Sequence, residues 1–271
     1  MPKVRVPELK EKKRRGEKIA MLTAYDAGMA RLLDRAGVDA LLVGDSVGMV
    51  MLGFETTVPV TLDAMIHHTA AVRRGTERAL IVADMPFLTY QTTAADAVRN
   101  AGRLLQEGGS EAVKLEGGAA ILDTVKRLVD LGVPVMGHLG LLPQSVHQVG
   151  GFLRQARTPH DADILLADAL ALEEAGAFAI VLEAIPSEVA RTVTEALTIP
   201  TIGIGAGPDC DGQVLVTHDM VGLSDAPVPS FVTQYAHVAH DITASVQAYV
   251  QDVKSGRYAR PAIETTATPK A

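Results

Sequence analysis

Short apolar runs alternate along this chain with longer segments in which apolar residues recur at helical spacing. The runs at residues 41–45, 80–84 and 112–116 are largely apolar until each one reaches a carboxylate. A strand that is buried on both faces reads as a continuous apolar run, as in the parallel sheets of α/β proteins. The pattern therefore predicts buried parallel strands that are joined by amphipathic helices.

Eight apolar runs are predicted to be strands. Their approximate positions are residues 19–23, 41–43, 80–84, 112–118, 134–138, 178–183, 200–205 and 214–216. The predicted starting residues of the intervening helices are Asp26, Thr61, Thr93, Asp161 and Ser187, and a last helix is predicted near residues 232–253. Eight strand–helix units predict an α/β fold, a single (βα)8 TIM barrel, with an open doubly wound sheet as the alternative.

The chain contains no evident internal linker. Residues 1–271 are therefore predicted to form one barrel domain with a short N-terminal helix. The tail, at about residues 257–271, lacks periodicity and is expected to be mobile. The two longest connections, at residues 46–60 and 139–160, both follow strands. We expect them to cover the carboxyl ends of the strands, where parallel barrels carry their sites.

Composition limits the classes of protein to which this chain can belong. With 271 residues, 48% of them hydrophobic, it can build one large core. Its net charge of −7 argues against a nucleic-acid partner, and its basic cluster at residues 10–15, which Glu11 interrupts, fits a solvated helix face. The lone Cys210 excludes an intrachain disulfide. No run resembles a signal peptide or a bilayer span, so we expect a cytoplasmic protein without a membrane partner.

Four predicted strands end in an acidic residue. These residues are Asp45, Asp84, Glu116 and Glu183. A single acidic residue at such a position is most simply a cap of the following helix. Helix capping does not readily explain four such residues at the converging carboxyl ends of one sheet. A cluster of four carboxylates needs a positively charged partner. Because carboxylate oxygens are the ligands that Mg²⁺ prefers, the sequence predicts a site for a divalent cation.

Two basic side chains are predicted near this cluster. Lys114 precedes Glu116 by two residues, so both side chains share one face of the strand. Lys114 can form a buried salt bridge, bind an anionic substrate, or do both. His138 at the end of the fifth strand is a weaker candidate, because a lone histidine is more often a hydrogen-bonded structural residue. The glycine-rich residues 203–207 fit either a phosphate site or a tight turn.

The same stretches contain a series of short motifs in a fixed order. They are residues 23–26 (TAYD), 43–46 (VGDS), 59–62 (PVTL), 83–87 (ADMPF), 113–118 (VKLEGG), 135–138 (VMGH), 143–145 (PQS), 202–207 (IGIGAG) and 210–216 (CDGQVLV). In number and order these motifs resemble the ketopantoate hydroxymethyltransferase (3-methyl-2-oxobutanoate hydroxymethyltransferase) family. The resemblance extends over about residues 9–235.

The resemblance implies a (βα)8 barrel of the phosphoenolpyruvate/pyruvate type that transfers a hydroxymethyl group. It implies 5,10-methylenetetrahydrofolate as the one-carbon donor, 3-methyl-2-oxobutanoate as the 2-oxo acid acceptor and one Mg²⁺ in each subunit. The implied product is ketopantoate (2-dehydropantoate), on the route to pantothenate and coenzyme A. The resemblance also implies a homo-oligomer, typically a decamer.

The resemblance further implies roles for single residues. Metal ligands fall on Asp45, Asp84 and Glu116, and the proton acceptor falls on Glu183. The substrate-binding positions are Asp45, Ser46, Asp84 and Lys114. His138 is kept as an auxiliary candidate because of its position at a strand end.

Two other classes of function are weighed against this one. Carbon–carbon lyases and phosphonomutases of the phosphoenolpyruvate/pyruvate type resemble it in metal chemistry. They usually carry a Lys-Lys-Cys-Gly-His-type loop, whereas Cys210 here stands in a different context. A non-catalytic metabolite-binding barrel would tolerate the loss of Glu183 and Lys114, yet both are present. Hydroxymethyl transfer is therefore the preferred hypothesis.

Overall fold

Eight parallel strands close into a barrel in the computed structural model, which describes residues 2–224 and 227–258. Each strand pairs with the next one along the chain, and the last pairs with the first. The strands are β1 Ile19–Thr23, β2 Ala40–Val43, β3 Leu80–Asp84, β4 Ala112–Glu116, β5 Val135–Gly140, β6 Ala179–Glu183, β7 Thr201–Ile204 and β8 Gly212–Leu215. The predicted (βα)8 barrel is confirmed, and the open sheet is excluded.

Helices separate successive strands except β7 and β8, and several of them begin at the caps that the sequence predicts. They are α1 Val6–Arg15, α2 Ala27–Ala36, α3 Val47–Val50, α4 Leu62–Gly75, α5 Ala94–Arg103, α6 Leu122–Asp130, α7 Val146–Val149, α8 Pro159–Glu174, α9 Ser187–Ala196, α10 Thr217–Met220 and α11 Val238–Lys254. The side chains of Asp26, Thr61 and Thr93 accept backbone N–H groups in the first turns of α2, α4 and α5. These three predicted caps are confirmed.

Two other predicted helix starts are wrong. Helix α8 begins at Pro159, and its cap is Thr158, whose hydroxyl accepts the N–H of Asp161. Asp161 therefore lies inside the first turn, where its negative charge is favourable, and does not begin the helix. Helix α11 begins at Val238 rather than near residue 232, because residues 230 and 231 lie in a turn.

Helix α1 is tied to the amino ends of two strands. Lys12 Nζ lies 3.2 Å from Asp39 Oδ1, just before β2, and Lys13 Nζ lies 2.9 Å from Asp211 Oδ2, just before β8. The expectation of a solvated helix face is therefore wrong for these two lysines. It holds for Arg14, which is exposed.

Alternation along the strands sorts side chains between the barrel interior and the helix layer. One set of alternate residues forms an apolar cluster within the barrel, including Ile19, Met21, Leu42, Val82, Met136 and Val181. Residues of the other set, such as Leu41 and Ile81, belong to the larger cluster beneath the helices. In each of these strands, the residue two positions after Val82, Met136 or Val181 has a polar side chain. The polar residues therefore stand directly above an apolar plug.

The chain divides into two compact units, residues 1–217 and 218–271. The first unit contains the complete barrel, and in the second α11 has no buried residue. No helix within the described ranges is long and apolar enough to cross a membrane. The predicted single domain over residues 1–271 stays a prediction. From residue 259 onward, the tail that was expected to be mobile lies outside the described residues.

Candidate active site

Three neighbouring strands deliver polar residues to the carboxyl end of the barrel. The register places Asp84 of β3 beside Lys114 of β4, and Glu116 of β4 beside His138 of β5. These four residues are 2–6% exposed, so water hardly screens their charges. Asp45 lies two residues after the end of β2 and is buried to the same degree. The predicted cluster of strand-end residues is therefore present in the fold.

Lys114 is the cation at the centre of this cluster. Its Nζ atom lies 3.0 Å from Asp84 Oδ1, at ion-pair distance but outside hydrogen-bonding geometry, and 3.1 Å from His138 Nδ1. Burial alone would lower the pKa of Lys114, but the negative charges of Asp84, Glu116 and Asp45 outweigh burial and raise it. Lys114 is therefore protonated at neutral pH, and the salt-bridge interpretation of this residue is confirmed.

Asp45 and Asp84 are direct neighbours. The backbone N–H of Asp45 donates to Asp84 Oδ2 at 3.0 Å. Burial, together with the charges of Asp84 and Glu116, raises the pKa of Asp45 well above its usual value. Burial also raises the pKa of Asp84, although Lys114 opposes this shift. Three buried carboxyl groups thus share one lysine, and mutual repulsion of their negative charges contributes to these raised pKa values.

Glu116 has two different oxygen environments. Its Oε2 atom accepts the backbone N–H of Gln144 at 3.0 Å, and its Oε1 atom lies 3.5 Å from His138 Nδ1. Burial would raise the pKa of Glu116, but His138, Lys114 and the Gln144 N–H together lower it. Of the three carboxylates, Glu116 is therefore the one that ionises most readily.

Gln144 is a site residue that the sequence interpretation did not single out. It lies in the long connection after β5, in a short 3₁₀ turn over residues 143–145, and is 5% exposed. Its Nε2 atom donates to Asp45 Oδ2 at 2.9 Å and to Met85 O at 3.0 Å. Its position could have indicated a role in the site, because it is an amide within a connection that was expected to cover the strand ends. The expectation that this connection reaches the site is confirmed.

Glu183 ends β6, and His138 joins it to the cluster. His138 Nε2 lies 3.1 Å from Glu183 Oε2, and the side chain of Glu183 is 17% exposed. Burial and Lys114 lower the pKa of His138, but Glu116 and Glu183 raise it above its usual value overall. Glu183 therefore stands at the exposed edge of the cluster, within reach of a ligand from solvent.

The predicted cap Ser187 is wrong, and this bears on Glu183. Ser187 is the first residue of α9, Pro186 occupies the cap position with extended backbone, and no side chain caps this helix. The Ser187 hydroxyl instead donates to Glu188 Oε2 at 3.4 Å. Ser187 therefore does not take a capping role from Glu183. The Glu183 side chain does not cap α9 either and lies beside His138.

Ser46 follows Asp45 and precedes α3. Its Oγ atom lies 2.8 Å from the hydroxyl of Tyr25, a fully buried residue. Gly44 leaves the room for this arrangement, since a Cβ atom there would lie 2.7 Å from Ser46 Oγ and 3.5 Å from Asp84 Oδ2. The Ser46 hydroxyl and the Asp84 carboxylate therefore flank the same small space.

The donor set of the cluster fits a hard divalent cation. Asp84 Oδ1 and Glu116 Oε1 are buried and accept no hydrogen bond, although Lys114 Nζ lies 3.0 Å from the first and His138 Nδ1 lies 3.5 Å from the second. Carboxylate oxygens are the ligands that Mg²⁺ takes. Within the described residues, no group of three or more His, Cys, Asp or Glu side chains is already arranged around a metal position. Gln144 bonds one oxygen of Asp45 and one of Glu116. The opposite oxygens are left for a cation.

The glycine-rich residues 203–207 have a packing explanation. A Cβ atom on Gly207 would lie 2.4 Å from Ser187 Cβ, and Gly207 has a φ of +82°. The carbonyl of Gly207 also accepts a hydrogen bond from Gln213 Nε2 at 2.9 Å. These contacts favour the tight-turn interpretation over the phosphate site.

Several solved enzyme structures share the barrel fold of this chain. A phosphonopyruvate hydrolase in complex with oxalate and Mg²⁺ superposes with a TM-score of 0.63 at 11% identity, covering 98% of this chain and 92% of that chain. A phosphoenolpyruvate phosphomutase from Streptomyces platensis subsp. rosaceus has a TM-score of 0.62 at 16% identity, covering 97% and 92%. At this identity the likeness concerns the fold alone. It confirms the (βα)8 barrel.

Sequence comparison adds the family. The family model for ketopantoate hydroxymethyltransferase matches residues 3–261. The 3-methyl-2-oxobutanoate hydroxymethyltransferase of Moorella thermoacetica is 57% identical over 256 residues, covering 94% of this chain and 95% of the relative. The enzyme of the same name from Carboxydothermus hydrogenoformans is 51% identical over 270 residues, covering 100% and 98%. The predicted enzyme class is confirmed, and the chain belongs to the ketopantoate hydroxymethyltransferase family.

Proposed function

We propose that this enzyme transfers a hydroxymethyl group from 5,10-methylenetetrahydrofolate to 3-methyl-2-oxobutanoate. The product would be 2-dehydropantoate (ketopantoate), a precursor of pantothenate and coenzyme A. Family membership and the names of the relatives support the reaction. The observation that carries the mechanism is the Glu183 carboxylate, which lies 3.1 Å from His138 at the exposed edge of a buried charge cluster. A carboxylate in that position can remove a proton from a bound 2-oxo acid.

Asp45, Asp84 and Glu116 are proposed to hold one Mg²⁺ in each subunit. The support is that these three buried carboxyl groups outnumber the one lysine beside them, and that Asp84 Oδ1 and Glu116 Oε1 accept no hydrogen bond. Bound there, the ion would supply Lewis-acid stabilisation of the enolate form of the 2-oxo acid. The phosphonopyruvate hydrolase of the same fold contains Mg²⁺ together with oxalate, whose adjacent oxygens resemble those of a 2-oxo acid.

Lys114 and Ser46 are proposed to bind the carboxylate of the 2-oxo acid, next to Asp45 and Asp84. Lys114 is a buried cation, so it would neutralise the negative charge of the incoming substrate. The Ser46 hydroxyl is oriented by Tyr25 at 2.8 Å and lies near the Asp84 carboxylate, where it would donate to a substrate oxygen. Lys114 lies on β4 and Ser46 between β2 and α3, and both are near Asp84.

Glu183 is proposed to take the C3 proton of the substrate, and His138 to orient the Glu183 carboxylate. Loss of this proton turns C3 into the nucleophilic carbon of an enolate. In the overall reaction, C3 forms a bond to the methylene carbon of the folate, and both carbon–nitrogen bonds of the methylene bridge break. One water supplies the hydroxyl group and one proton, while the C3 proton restores the second nitrogen of tetrahydrofolate.

A homo-oligomer, in the form of a decamer, is also proposed, together with a cytoplasmic location. Support for self-association comes from α11, which has no buried residue. It exposes Ile242, Val246, Tyr249 and Val253 at helical spacing. Exposed apolar faces of this kind are typical of protein–protein contacts. The single Cys210 is free and buried, which suits a reducing compartment.

Hydrogen exchange at C3 is the decisive experiment. We expect the protein with Mg²⁺ and 3-methyl-2-oxobutanoate in D₂O to replace the C3 proton by deuterium, followed by NMR, without any folate. Adding 5,10-methylenetetrahydrofolate should then give 2-dehydropantoate. Omitting Mg²⁺ is the control for the cation.

The other classes of function predict different results. A carbon–carbon lyase or phosphonomutase would leave the C3 proton of 3-methyl-2-oxobutanoate in place and act on another 2-oxo acid. A non-catalytic binding barrel would bind the 2-oxo acid and exchange nothing. Either result would overturn the proposed function.

A further inference from the structure

The side-chain amide of Gln144 makes every hydrogen bond that its chemistry allows. Its Nε2 atom donates to Asp45 Oδ2 at 2.9 Å and to Met85 O at 3.0 Å. Its Oε1 atom accepts from Gln91 Nε2 at 3.2 Å and lies 2.8 Å from Tyr90 Oη, whose single hydrogen is shared between Gln144 Oε1 and Glu116 O at 3.1 Å. A neutral amide has two donor hydrogens and two acceptor positions, so none is left over.

These partners fix which way the amide points. Asp45 Oδ2 and Met85 O can only accept, so they require the Nε2 side of Gln144. The opposite side faces the Tyr90 hydroxyl, which also accepts the backbone N–H of Glu116 at 3.0 Å. Turning the amide over would place an oxygen against the Asp45 carboxylate and a donor against another amide donor. The orientation of Gln144 is therefore set by several βα connections at once.

Gln144 also reaches Glu116 through its backbone. Its N–H donates to Glu116 Oε2 at 3.0 Å, while its side chain holds Asp45 Oδ2. One residue thus occupies one oxygen on each of two carboxylates that belong to different strands. Because Gln144 is uncharged, it orients these carboxylates without cancelling their negative charge.

We propose that Gln144 is a positioning residue that presents the free oxygens of Asp45 and Glu116 to the cation, with Tyr90 holding the amide in place. This proposal rests on the cation site proposed above. Groups that orient ligands in this way typically change metal affinity by about 10–100-fold when they are removed. Gln144 does not touch the reacting atoms, so it acts through the two carboxylates.

The test is a titration of Mg²⁺ into Gln144→Met, measured by calorimetry on the whole protein. Methionine keeps the length of the side chain but removes both halves of the amide. We expect the Mg²⁺ dissociation constant to rise about 10–100-fold. The exposed Gln148→Met, four residues away in the same connection, is the matched control and should bind Mg²⁺ as the parental protein does.

A second readout separates positioning from a purely structural role. If Gln144 positions the carboxylates, the rate of C3 exchange by Gln144→Met should recover when Mg²⁺ is raised to saturation, while a damaged fold would not recover. If Gln144→Met does not fold, Tyr90→Phe is the second test of the positioning role. This variant keeps the aromatic ring and removes the hydroxyl group that contacts Gln144 Oε1. We expect weaker Mg²⁺ binding in Tyr90→Phe as well.

The possible results distinguish this proposal from the proposed function. Parental Mg²⁺ affinity in folded Gln144→Met, or in Tyr90→Phe when Gln144→Met does not fold, overturns the positioning role. The cation site itself then remains supported. Absence of Mg²⁺ binding in the parental protein overturns the cation site, and the positioning role with it.

Discussion

His138 lies between the proposed base Glu183 and the buried cation Lys114. Its Nε2 atom is 3.1 Å from Glu183 Oε2, and its Nδ1 atom is 3.1 Å from Lys114 Nζ. A protonated lysine has only donors, so Nδ1 must accept in this contact. In the neutral imidazole the proton then sits on Nε2, the atom that faces Glu183, an assignment that follows from the hydrogen-bond network. The Nε2–H group then faces Glu183 Oε2 at ion-pair distance, although the pair lies outside hydrogen-bonding geometry.

Replacing Glu183 by Gln should abolish most of the C3 exchange. The amide keeps the shape of the side chain but removes its basicity, and general-base catalysis typically contributes about 10²–10⁴-fold. We expect NMR to record a loss of exchange of this size, with Mg²⁺ binding preserved. The exposed Glu188→Gln on α9 is the control and should exchange at the parental rate. Parental exchange by Glu183→Gln would identify another base, and His138 would be the next candidate.

Replacing Asp84 by Asn should weaken Mg²⁺ binding and leave the fold intact. The amide cannot supply a negative ligand, but its oxygen can still accept the N–H of Asp45. Calorimetry should show a raised Mg²⁺ dissociation constant, and activity should fall at low Mg²⁺. Asp130→Asn is the control, because its ion pair with Lys126 is exposed and contributes little. Unchanged Mg²⁺ affinity and activity in Asp84→Asn would remove Asp84 from the ligand set.

The assembly should be visible in solution. Light scattering at micromolar concentration is expected to give a multiple of the 28.6 kDa chain mass, ten times that mass for the decamer. Val246→Glu places a charge on the exposed apolar face of α11 and should lower the measured mass. A parental mass of 28.6 kDa would contradict self-association. A parental multiple that Val246→Glu leaves unchanged would place the contact elsewhere.

Asp34 should contribute stability that depends on pH. Its carboxylate accepts the backbone N–H groups of Glu77, Arg78 and Ala79. Burial alone would raise the pKa of Asp34, but these three bonds lower it overall. A folded pKa below the unfolded value of about 3.9 means that the stabilisation is fully present above that value. It is lost as the pH falls through the lower folded pKa.

Urea unfolding at a series of pH values tests this contribution. At pH 7 we expect Asp34→Asn to lower the free energy of unfolding by about 1–3 kcal/mol, since an amide nitrogen then faces buried donors. The difference between the two proteins should shrink as the pH falls below about 3.9. The exposed Asp163→Asn should show no such difference. A deficit in Asp34→Asn that is independent of pH would contradict the role of the charge.

The strand-borne part of the site could be predicted from the sequence because it follows from local pattern. A buried strand fixes the direction of each side chain, so the spacing of Lys114 and Glu116 already implied a shared face. Parallel pairing then brings the ends of β3 and β4 together, which places Asp84 beside Lys114. These steps need only periodicity and the known geometry of parallel sheets.

The rest of the site depends on the connections after the strands. Their conformation cannot be predicted from the periodicity of apolar residues. Gln144 and Tyr90 meet across a sequence separation of 54 residues, and their contact exists only when two connections fold over the same edge. The cap of α9 failed for a related reason. The sequence favoured Ser187 because serine often caps helices. In the structure the helix begins one residue earlier than that prediction requires, so Pro186 occupies the cap position.

The stacking of polar residues on an apolar plug has an evolutionary consequence. Successive interior residues of β4 are about 6.6 Å apart, so Lys114 and the plug residue Ala112 are separated by a single pleat. Deleting Val113 would rotate Lys114 out of the interior and into the helix layer. Point substitutions can therefore change the side chains of this part of the site during evolution. Insertions or deletions within the strand would displace them. The connection that holds Gln144 is freer, because residues can be gained or lost beyond that position without changing the phase of any strand.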